Sequence, residues 1–226
     1  NGERLAVDPH DGNILFFGSR HDGVWRSTNA GVSWTRLERF PNIDTAEEAP
    51  PDAQRFRGNF RPQSVGIVCV LFDPRSGENG KPTGTIYAGV SISGTNFFRI
   101  VDCGWNWDSV PHQPLGLRPT HAVLASGGMI YLSYGKEAGP NTMPDGAVWK
   151  YIPESDTWTD ITPLKSPDSS QPFGYGAVAA DPHDPSKIVV TTFARWHPHD
   201  EVFYSTNGGA NWSALLQGAQ WDHANA

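Results

Sequence analysis

The sequence predicts an all-β fold, a β-propeller built from four-stranded antiparallel blades, and three observations carry this prediction. The first is a turn pattern, Ser-x-Asn-x-Gly-x-x-Trp, which occurs at Ser27–Trp34 and again at Ser205–Trp212. The second is a repeated strand ending, Asp-Pro followed by polar residues. The third is the lack of an amphipathic helical period of useful length. Repetition of one short β unit along a chain is typical of propellers.

The first strand of three units ends in the same way, as "LAVDPHDG" at Leu5, "VLFDPRSG" at Val70 and "AVAADPHDP" at Ala177. Proline stops strand pairing, and the aspartate can accept a hydrogen bond from its own backbone two residues on. A second short apolar strand follows each turn. A further unit, "HAVLASGGMIYLSY", has no Asp-Pro and is predicted to turn on Gly127 and Gly128.

The third strands, "GVWRST", "NFFRIV", "AVWKYI" and "EVFYST", lead into the tryptophan-bearing turn, which we interpret as an Asp-box. In this turn the Asn or Asp side chain is expected to accept hydrogen bonds from the turn backbone. The Gly takes a positive φ and the Trp packs between sheets. The role predicted for the box residues is therefore in folding.

Four such units are predicted, with the box tryptophan positions at Trp34, Trp107, Trp158 and Trp212. The predicted blades cover residues 1–40, 64–111, 118–163 and 174–218. Residues 41–63 are rich in proline and charge, and this composition predicts an inserted loop.

Composition excludes several classes of function. The 226 residues carry 24 Asp plus Glu against 17 Lys plus Arg, a net charge of −7, which argues against a nucleic-acid partner. No run of 18 apolar residues occurs, so no membrane span is expected. Cys69 and Cys103 have no paired Cys/His spacing that would bind a metal, and no cofactor is expected.

Function is expected on one face of the predicted propeller. The Asp-Pro turns and the boxes share one end of the blades, so the variable loops share the other. These loops gather aromatic, basic and acidic side chains, as a polysaccharide cleft requires. The residues are Arg20, His21, Asp22, Phe60, Arg61, His121, Tyr134, Phe173, Tyr175, Trp196, His197 and Asp200.

From this set the sequence predicts substrate-binding roles for Arg20, His21, His121, Tyr134, Trp196 and His197. Alternatives remain open for several of them. Tyr134 and Tyr175 flank strand ends, where tyrosines often belong to the core edge, and His121 begins a strand, where a structural histidine is equally expected. The "HPHD" stretch could suggest a metal site, but it offers no third ligand.

Several phrases taken together resemble glycoside hydrolase family 74, the xyloglucan-cleaving enzymes. They are "GERLAVDP", "GVWRSTNAGVSW", "HAVLASGGMIYLSYG", "WTDITP" and "RWHPHDEVFYSTNGGANW". The resemblance implies two seven-bladed propellers enclosing a cleft, and this chain would be about four blades of the N-terminal ring. It also implies inverting endo-cleavage of β-1,4-glucan, with one aspartate as general base and another as general acid.

Neither catalytic motif of that family occurs in these residues, so the resemblance assigns no catalytic residue here. The expected function is that of a segment of a secreted xyloglucan or β-glucan hydrolase. The segment would supply substrate subsites, at which Trp196 and His197 are expected to contact the sugar, and it would be inactive alone. Its expected partners are the polysaccharide and a second propeller domain of the parent chain. The location would be extracellular or periplasmic.

Two alternatives belong to other classes. A non-catalytic Asp-box propeller could bind a glycan or a protein, but its binding face would show broad charged or apolar patches rather than scattered aromatics. A sialidase would need an arginine triad, for which Arg20, Arg61, Arg118 and Arg195 are the candidates. No Tyr–Glu nucleophile pairing accompanies them.

Overall fold

The computed structural model describes residues 4–20, 22–41, 66–101, 106–137, 143–169, 171–195 and 199–216. Within these ranges, sixteen strands form four antiparallel sheets of four strands each, and every sheet follows chain order from its first strand to its fourth. We name the sheets blades 1 to 4. The predicted all-β fold of four-stranded blades is confirmed. The chain divides into two compact units, Asn1–Val110 and Pro111–Ala226, which are described separately.

The first unit contains blades 1 and 2. Blade 1 consists of β1 (Leu5–Val7), β2 (Leu15–Gly18), β3 (Val24–Ser27) and β4 (Thr35–Arg36). Blade 2 consists of β5 (Ile67–Phe72), β6 (Ile86–Val90), β7 (Phe97–Ile100) and β8 (Asp108–Ser109), with a 3-10 turn at Pro74–Ser76.

The second unit contains blades 3 and 4. Blade 3 consists of β9 (Arg118–Leu124), β10 (Ile130–Gly135), β11 (Gly146–Ile152) and β12 (Thr157–Asp160). Blade 4 consists of β13 (Gly174–Ala180), β14 (Ile188–Phe193), β15 (Val202–Ser205) and β16 (Ser213–Ala214), and a 3-10 turn at Ser166–Asp168 precedes it.

The core of the first unit lies between its two blades. Phe16 of β2 meets Phe72 of β5 edge to face, with ring centroids 5.4 Å apart. Phe40, just after β4, reaches both Phe98 at 5.7 Å and Trp107 at 5.0 Å. Edge-to-face contacts of this kind stabilise beyond the area they bury, so these rings join blade 1 to blade 2.

The core of the second unit is built in the same way. Tyr131, Val148 and Ile161 of blade 3 and its flank form one buried cluster with Val190 and Phe203 of blade 4. Consecutive sheets therefore share one apolar layer in each unit.

Both intact tryptophan-bearing turns have the same hydrogen bonds. In the first, Ser27 Oγ donates to Asn29 Oδ1 at 3.0 Å and accepts from the Gly31 N–H at 2.9 Å. In the second, Ser205 Oγ donates to Asn207 Oδ1 at 3.0 Å and accepts from the Gly209 N–H at 2.9 Å. The asparagine oxygen of each also accepts a backbone N–H four residues on, at 2.9 Å. The positive φ expected of the glycine is present in both turns.

The predicted Asp-Pro turns are also confirmed in their local bonding. Asp8, Asp73 and Asp181 each accept the backbone N–H two residues on, from His10, Arg75 and His183, at 2.8 to 3.0 Å. The turn of blade 3 uses Gly127 and Gly128 instead, and both have positive φ.

The Asp-Pro turn of blade 1 also binds blade 2. Asp8 is buried and accepts from the Thr83 N–H at 2.7 Å and from Thr83 Oγ1 at 2.6 Å. His10 Nε2 lies 2.7 Å from the Pro74 carbonyl oxygen, and its Nδ1 lies 3.2 Å from Asn79 Oδ1. A protonated imidazole can donate to both oxygens at once, whereas a neutral one can donate to only one of them.

Cys69 is buried, while Cys103 lies outside the described residues. No helix in the described ranges has the length and apolar character needed to cross a bilayer.

We predict that the protonated His10 stabilises the fold. The hydrogen bond to the Pro74 carbonyl, then that to Asn79, raises the pKa of His10 above its ordinary value of 6.5. Because the folded-state pKa is the higher one, this stabilisation is complete at low pH and is lost as pH rises through the folded pKa. Titration of the His10 ring by NMR measures the pKa. Urea unfolding at pH values from about 6 to about 8 measures the stability.

In His10→Gln, the part of the pH dependence that comes from His10 should disappear. A His10 pKa at or below 6.5, or an unchanged pH dependence in the variant, would contradict this prediction.

Candidate functional site

Arg20 is held at the tip of a tight loop between β2 and β3. The Ser19 N–H donates to the Gly23 carbonyl at 2.8 Å, and Gly23 has a φ of +72°. Ser19 Oγ donates to Asp22 Oδ2 at 3.3 Å and accepts the Asp22 N–H at 3.0 Å. These bonds close the loop and leave Arg20 exposed. His21 lies outside the described residues.

Gly66 fixes this loop against blade 2. Its φ is +63°, and a Cβ at this position would lie only 2.3 Å from the Arg20 carbonyl oxygen. The adjoining backbone is also bonded, since the Ile67 N–H donates to the Ser19 carbonyl at 3.1 Å and the Ser91 N–H to the Gly66 carbonyl at 2.9 Å. Only glycine permits so close an approach, so the position of Arg20 depends on the start of the next blade.

His121 lies beside a β-bulge. Ser133 of β10 pairs with His121, but Tyr134 pairs with Pro119, so Thr120 is the extra residue of β9. Thr120 Oγ1 donates to the Tyr175 carbonyl of blade 4 at 2.6 Å. His121 is half-buried, and its buried Nδ1 has no hydrogen-bond partner among the described residues. A bulge re-aims side chains, and beside this one the imidazole keeps a buried nitrogen that has no partner among the described residues.

The two tyrosines predicted near strand ends lie in the interior. Tyr134 and Tyr175 both have no exposed surface. Tyr175 Oη donates to the Leu164 carbonyl at 2.7 Å and accepts the Leu164 N–H at 3.1 Å, and burial raises the pKa of Tyr175 above its ordinary value. Tyr134 thus has no surface on which a sugar could stack, and its burial favours the core role over the predicted substrate contact.

The loop after β14 is closed by Asp200. Its Oδ1 accepts the Arg195 N–H at 3.1 Å and the Thr192 hydroxyl at 3.0 Å. The Arg195 guanidinium carbon lies 5.3 Å from the ring centroid of Phe173, which is fully buried. Trp196 and His197 lie outside the described residues, and their predicted roles stay predictions.

Glu201, beside this loop, has a structural role. The residue is buried, and its Oε1 accepts the Leu216 N–H at 2.7 Å and the Val202 N–H at 3.0 Å. This carboxylate ties the end of β16 to the start of β15. No pattern in the sequence distinguishes it from a solvated acid, because both of its partners are backbone groups.

The predicted binding residues are divided between the units. Arg20 belongs to the first unit, and His121 and the loop after β14 belong to the second. Within the described residues, no cluster of three or more His, Cys, Asp or Glu is placed to hold a metal ion. The first unit presents the exposed Arg20 side chain and the second the half-buried His121, both with hydrogen-bonding groups of the kind that sugar hydroxyls use.

Comparison with known proteins finds xyloglucanases both by sequence and by structure, although no family model matches the chain. A xyloglucanase of Acetivibrio thermocellus is 42% identical over 96% of this chain. The solved GH74 xyloglucanase from Xanthomonas campestris is 45% identical over 96% of this chain, with a TM-score of 0.85. The solved GH74 enzyme of Niastella koreensis is 34% identical over 95% of this chain, with a TM-score of 0.76.

The chain is much shorter than these relatives. It spans 25% of the length of the Acetivibrio protein, 30% of the Xanthomonas chain and 29% of the Niastella chain. The similarity therefore covers almost all of this chain but only about a quarter to a third of each relative.

We predict that Asp200→Ala loosens the loop after β14. The substitution leaves the Arg195 N–H without its acceptor and the Thr192 hydroxyl with only the Glu201 carbonyl at 3.5 Å, which should cost about 1–3 kcal/mol of local or global stability. Hydrogen exchange at the Arg195 amide should become faster, and the midpoint of urea unfolding should fall. Asp168→Ala, which removes an exposed carboxylate on the same unit, serves as control. Equal exchange rates in the two variants would contradict the assigned role.

Proposed function

We propose that this chain, a relative of the GH74 xyloglucanases over nearly its whole length, forms part of the substrate-binding wall of a xyloglucan-degrading glycoside hydrolase. The observation that supports this most strongly is 42–45% identity to xyloglucanases over 96% of the chain. Its contribution is binding rather than bond cleavage. Glycoside hydrolysis needs two carboxyl groups placed on either side of the scissile bond, and we assign neither to this chain.

The binding residues we propose are Arg20, His21, Trp196 and His197, which follow the second strands of blades 1 and 4, and His121 of β9. Xyloglucan is uncharged, so recognition depends on hydroxyl hydrogen bonds and on aromatic planes under the sugar rings. Arg20 is exposed on a closed loop, and the His121 side chain is half-buried beside the β9 bulge. Trp196 supplies the stacking plane, on a loop whose base is held by Asp200. Because a polymer cannot cross a membrane intact, such a protein acts outside the cytoplasm, in the extracellular space or the periplasm.

We assign the two intact tryptophan-bearing turns to the Asp-box type and the four blades to a larger ring of seven.

The face of blade 1 that is turned away from blade 2 supports the larger ring. Leu5 and Phe17 pair across the sheet on that face and are 57% and 41% exposed. Their counterparts in blade 4, Val178 and Val190, pair in the same register and are 2% and 0% exposed, because blade 3 covers them.

The tryptophans of the two intact turns also differ between blade 1 and blade 4. Trp212 Nε1 donates to the Ile161 carbonyl of the preceding blade at 2.8 Å. Trp34 Nε1 donates instead to Gly31 of its own turn at 3.1 Å. We infer that a further blade covers blade 1 in the complete protein, with an apolar surface against Leu5 and Phe17. An exposed apolar face of this kind is otherwise a liability for a soluble protein.

The binding role is tested in the full-length gene product with a xyloglucan oligosaccharide. Trp196→Ala should weaken binding about tenfold, because a buried aromatic contact contributes on the order of 1–2 kcal/mol. Turnover at saturating substrate should change little, because Trp196 takes no part in proton transfer. Val32→Ala, at the exposed tip of a turn, is the control. Unchanged affinity in Trp196→Ala, or a loss of turnover without loss of affinity, would contradict the proposal.

The covered face is tested by stability. In the full-length gene product, Phe17→Asp should lower the melting temperature strongly, because an unpaired charge would be buried between two sheets at a cost of several kcal/mol. Val32→Asp introduces the same charge at a position that is 85% exposed and should have almost no effect. Equal melting temperatures for the two variants would show that nothing covers blade 1.

A further inference from the structure

The sequence contains two asparagine–glycine pairs, Asn79–Gly80 and Asn207–Gly208. Such pairs are prone to deamidation, because a glycine leaves its amide nitrogen unhindered beside the asparagine side chain. The nitrogen attacks the side-chain carbonyl carbon, a C–N bond forms, and ammonia leaves with the proton of the glycine nitrogen. Water then opens the cyclic imide to a carboxylate. The net reaction consumes one water and releases one ammonia, and it needs no cofactor.

Both glycine nitrogens are hydrogen bonded in the folded protein. The Gly80 N–H donates to the His10 carbonyl at 2.9 Å, and the Gly208 N–H donates to the Ser186 carbonyl at 2.8 Å. Neither nitrogen can attack until its turn opens. The rate of deamidation at each pair therefore depends on the free energy needed to open that turn.

The turn at Asn79 opens at low cost. It lies between β5 and β6 of blade 2, where the Lys81 N–H donates to the Glu78 carbonyl at 2.9 Å and Gly80 has a φ of +79°. Residues 78–81 are all exposed, and none of their side chains is apolar. Beyond the adjoining residues, no heavy atom of the described chain lies within 4 Å of the point where a Gly80 Cβ would be. Opening therefore breaks exposed hydrogen bonds without disturbing the core.

The turn at Asn207 is tied to the core of the second unit. Asn207 Oδ1 accepts from Ser205 Oγ at 3.0 Å and from the Asn211 N–H at 2.9 Å. Ser205 and Gly209 are buried, and a Cβ at Gly209 would lie 2.7 Å from Ile161 Cβ in the core cluster. Opening this turn separates it from that cluster. Deamidation of the folded protein is therefore expected mainly at Asn79.

The side chain of Asn79 faces an imidazole of blade 1. Asn79 Oδ1 lies 3.2 Å from His10 Nδ1, and His10 Nε2 lies 2.7 Å from the Pro74 carbonyl oxygen. A Cβ at Gly77 would collide with the His10 ring, so the ring packs directly on the backbone of blade 2. A carboxylate formed at residue 79 would thus lie beside a histidine that is held in place.

Charged groups on both blades bear on this contact. In the turn itself, Lys81 forms a salt bridge with Glu78 at 2.6 Å, so their charges offset each other. On the blade 1 side, Asp8 favours the protonated form of His10. A carboxylate at residue 79 therefore adds to surroundings that already favour an imidazolium.

We propose that Asn79 is a deamidation site and that the carboxylate formed there converts a hydrogen bond between blades 1 and 2 into an ion pair. A charged donor bonds a charged acceptor more strongly than it bonds an amide oxygen. The modification therefore stabilises the first unit, by a modest amount because the pair is exposed and screened by salt. The inference does not depend on the proposed xyloglucan-binding role.

Deamidation is measured by keeping the full-length gene product at mildly alkaline pH and following both Asn-Gly peptides by mass spectrometry. The Asn79 peptide should convert at least about fivefold faster than the Asn207 peptide, a factor that corresponds to about one hydrogen bond. In urea, where both turns are open, the two rates should become similar. Asn79→Gln should abolish conversion of its peptide, because the longer side chain closes the imide ring far more slowly. Equal rates in the folded protein, or faster conversion at Asn207, would overturn the proposal.

The ion pair is measured in Asn79→Asp, which represents the product. NMR titration of His10 should give a pKa above that of the wild type, and the melting temperature should rise at pH values where His10 is protonated. Because the raised pKa belongs to the folded state, this gain should be lost as pH rises through it, and added salt should reduce it. Asn207→Asp, the same change in the other pair, should leave the His10 pKa unchanged. A His10 pKa or a melting temperature no higher than that of the wild type would overturn the proposal.

The aged wild type connects the two experiments. Its deamidated fraction should contain aspartate at residue 79 and show the same raised His10 pKa as Asn79→Asp. Isoaspartate alone, in which the backbone passes through the side chain, would overturn the conversion to an ion pair.

Discussion

Packing between consecutive sheets is the constraint on which the rest of each unit depends. A four-stranded sheet with apolar residues on both faces is stable only when both faces are covered. In the second unit, blade 3 covers Val178 and Val190 of blade 4, and Trp212 adds a hydrogen bond to the Ile161 carbonyl. Folding of each blade is thereby coupled to its neighbour, and the polar turns are positioned by this packing.

Close packing also explains how the loops are placed. Gly66 lies against the Arg20 backbone in the first unit, and in the second a Cβ at Gly146 would lie 2.5 Å from Gly174 Cα. In both units the first strand of one blade touches the preceding blade where its loops begin. A loop fixed in this way can present Arg20 or the β9 bulge at a defined position, because its base is part of the interface between sheets.

Local features of this protein could be predicted from sequence, whereas features that depend on distant residues could not. The Asp8 and Asp181 turns and the Ser27 and Ser205 turns are bonded within a few residues, so their patterns carry the necessary information. The burial of Tyr134 and the extra residue at Thr120 depend on blade 4 packing against blade 3. Neither the burial of Tyr134 nor the extra residue at Thr120 has a local sequence signature. A tyrosine at a strand end is equally compatible with a ligand contact and with a place in the core.

Several acidic side chains in the described part of the chain hold turns and loops together. Asp8 and Glu201 are buried acceptors of backbone N–H groups. On the loops, Asp22 accepts from Ser19 and Asp200 accepts from Thr192 and the Arg195 backbone, so each closes its own loop. An acid or base catalyst must instead exchange a proton with the substrate. Carboxylates already engaged in holding loops closed suit the proposed role of this chain, a wall that positions a sugar chain.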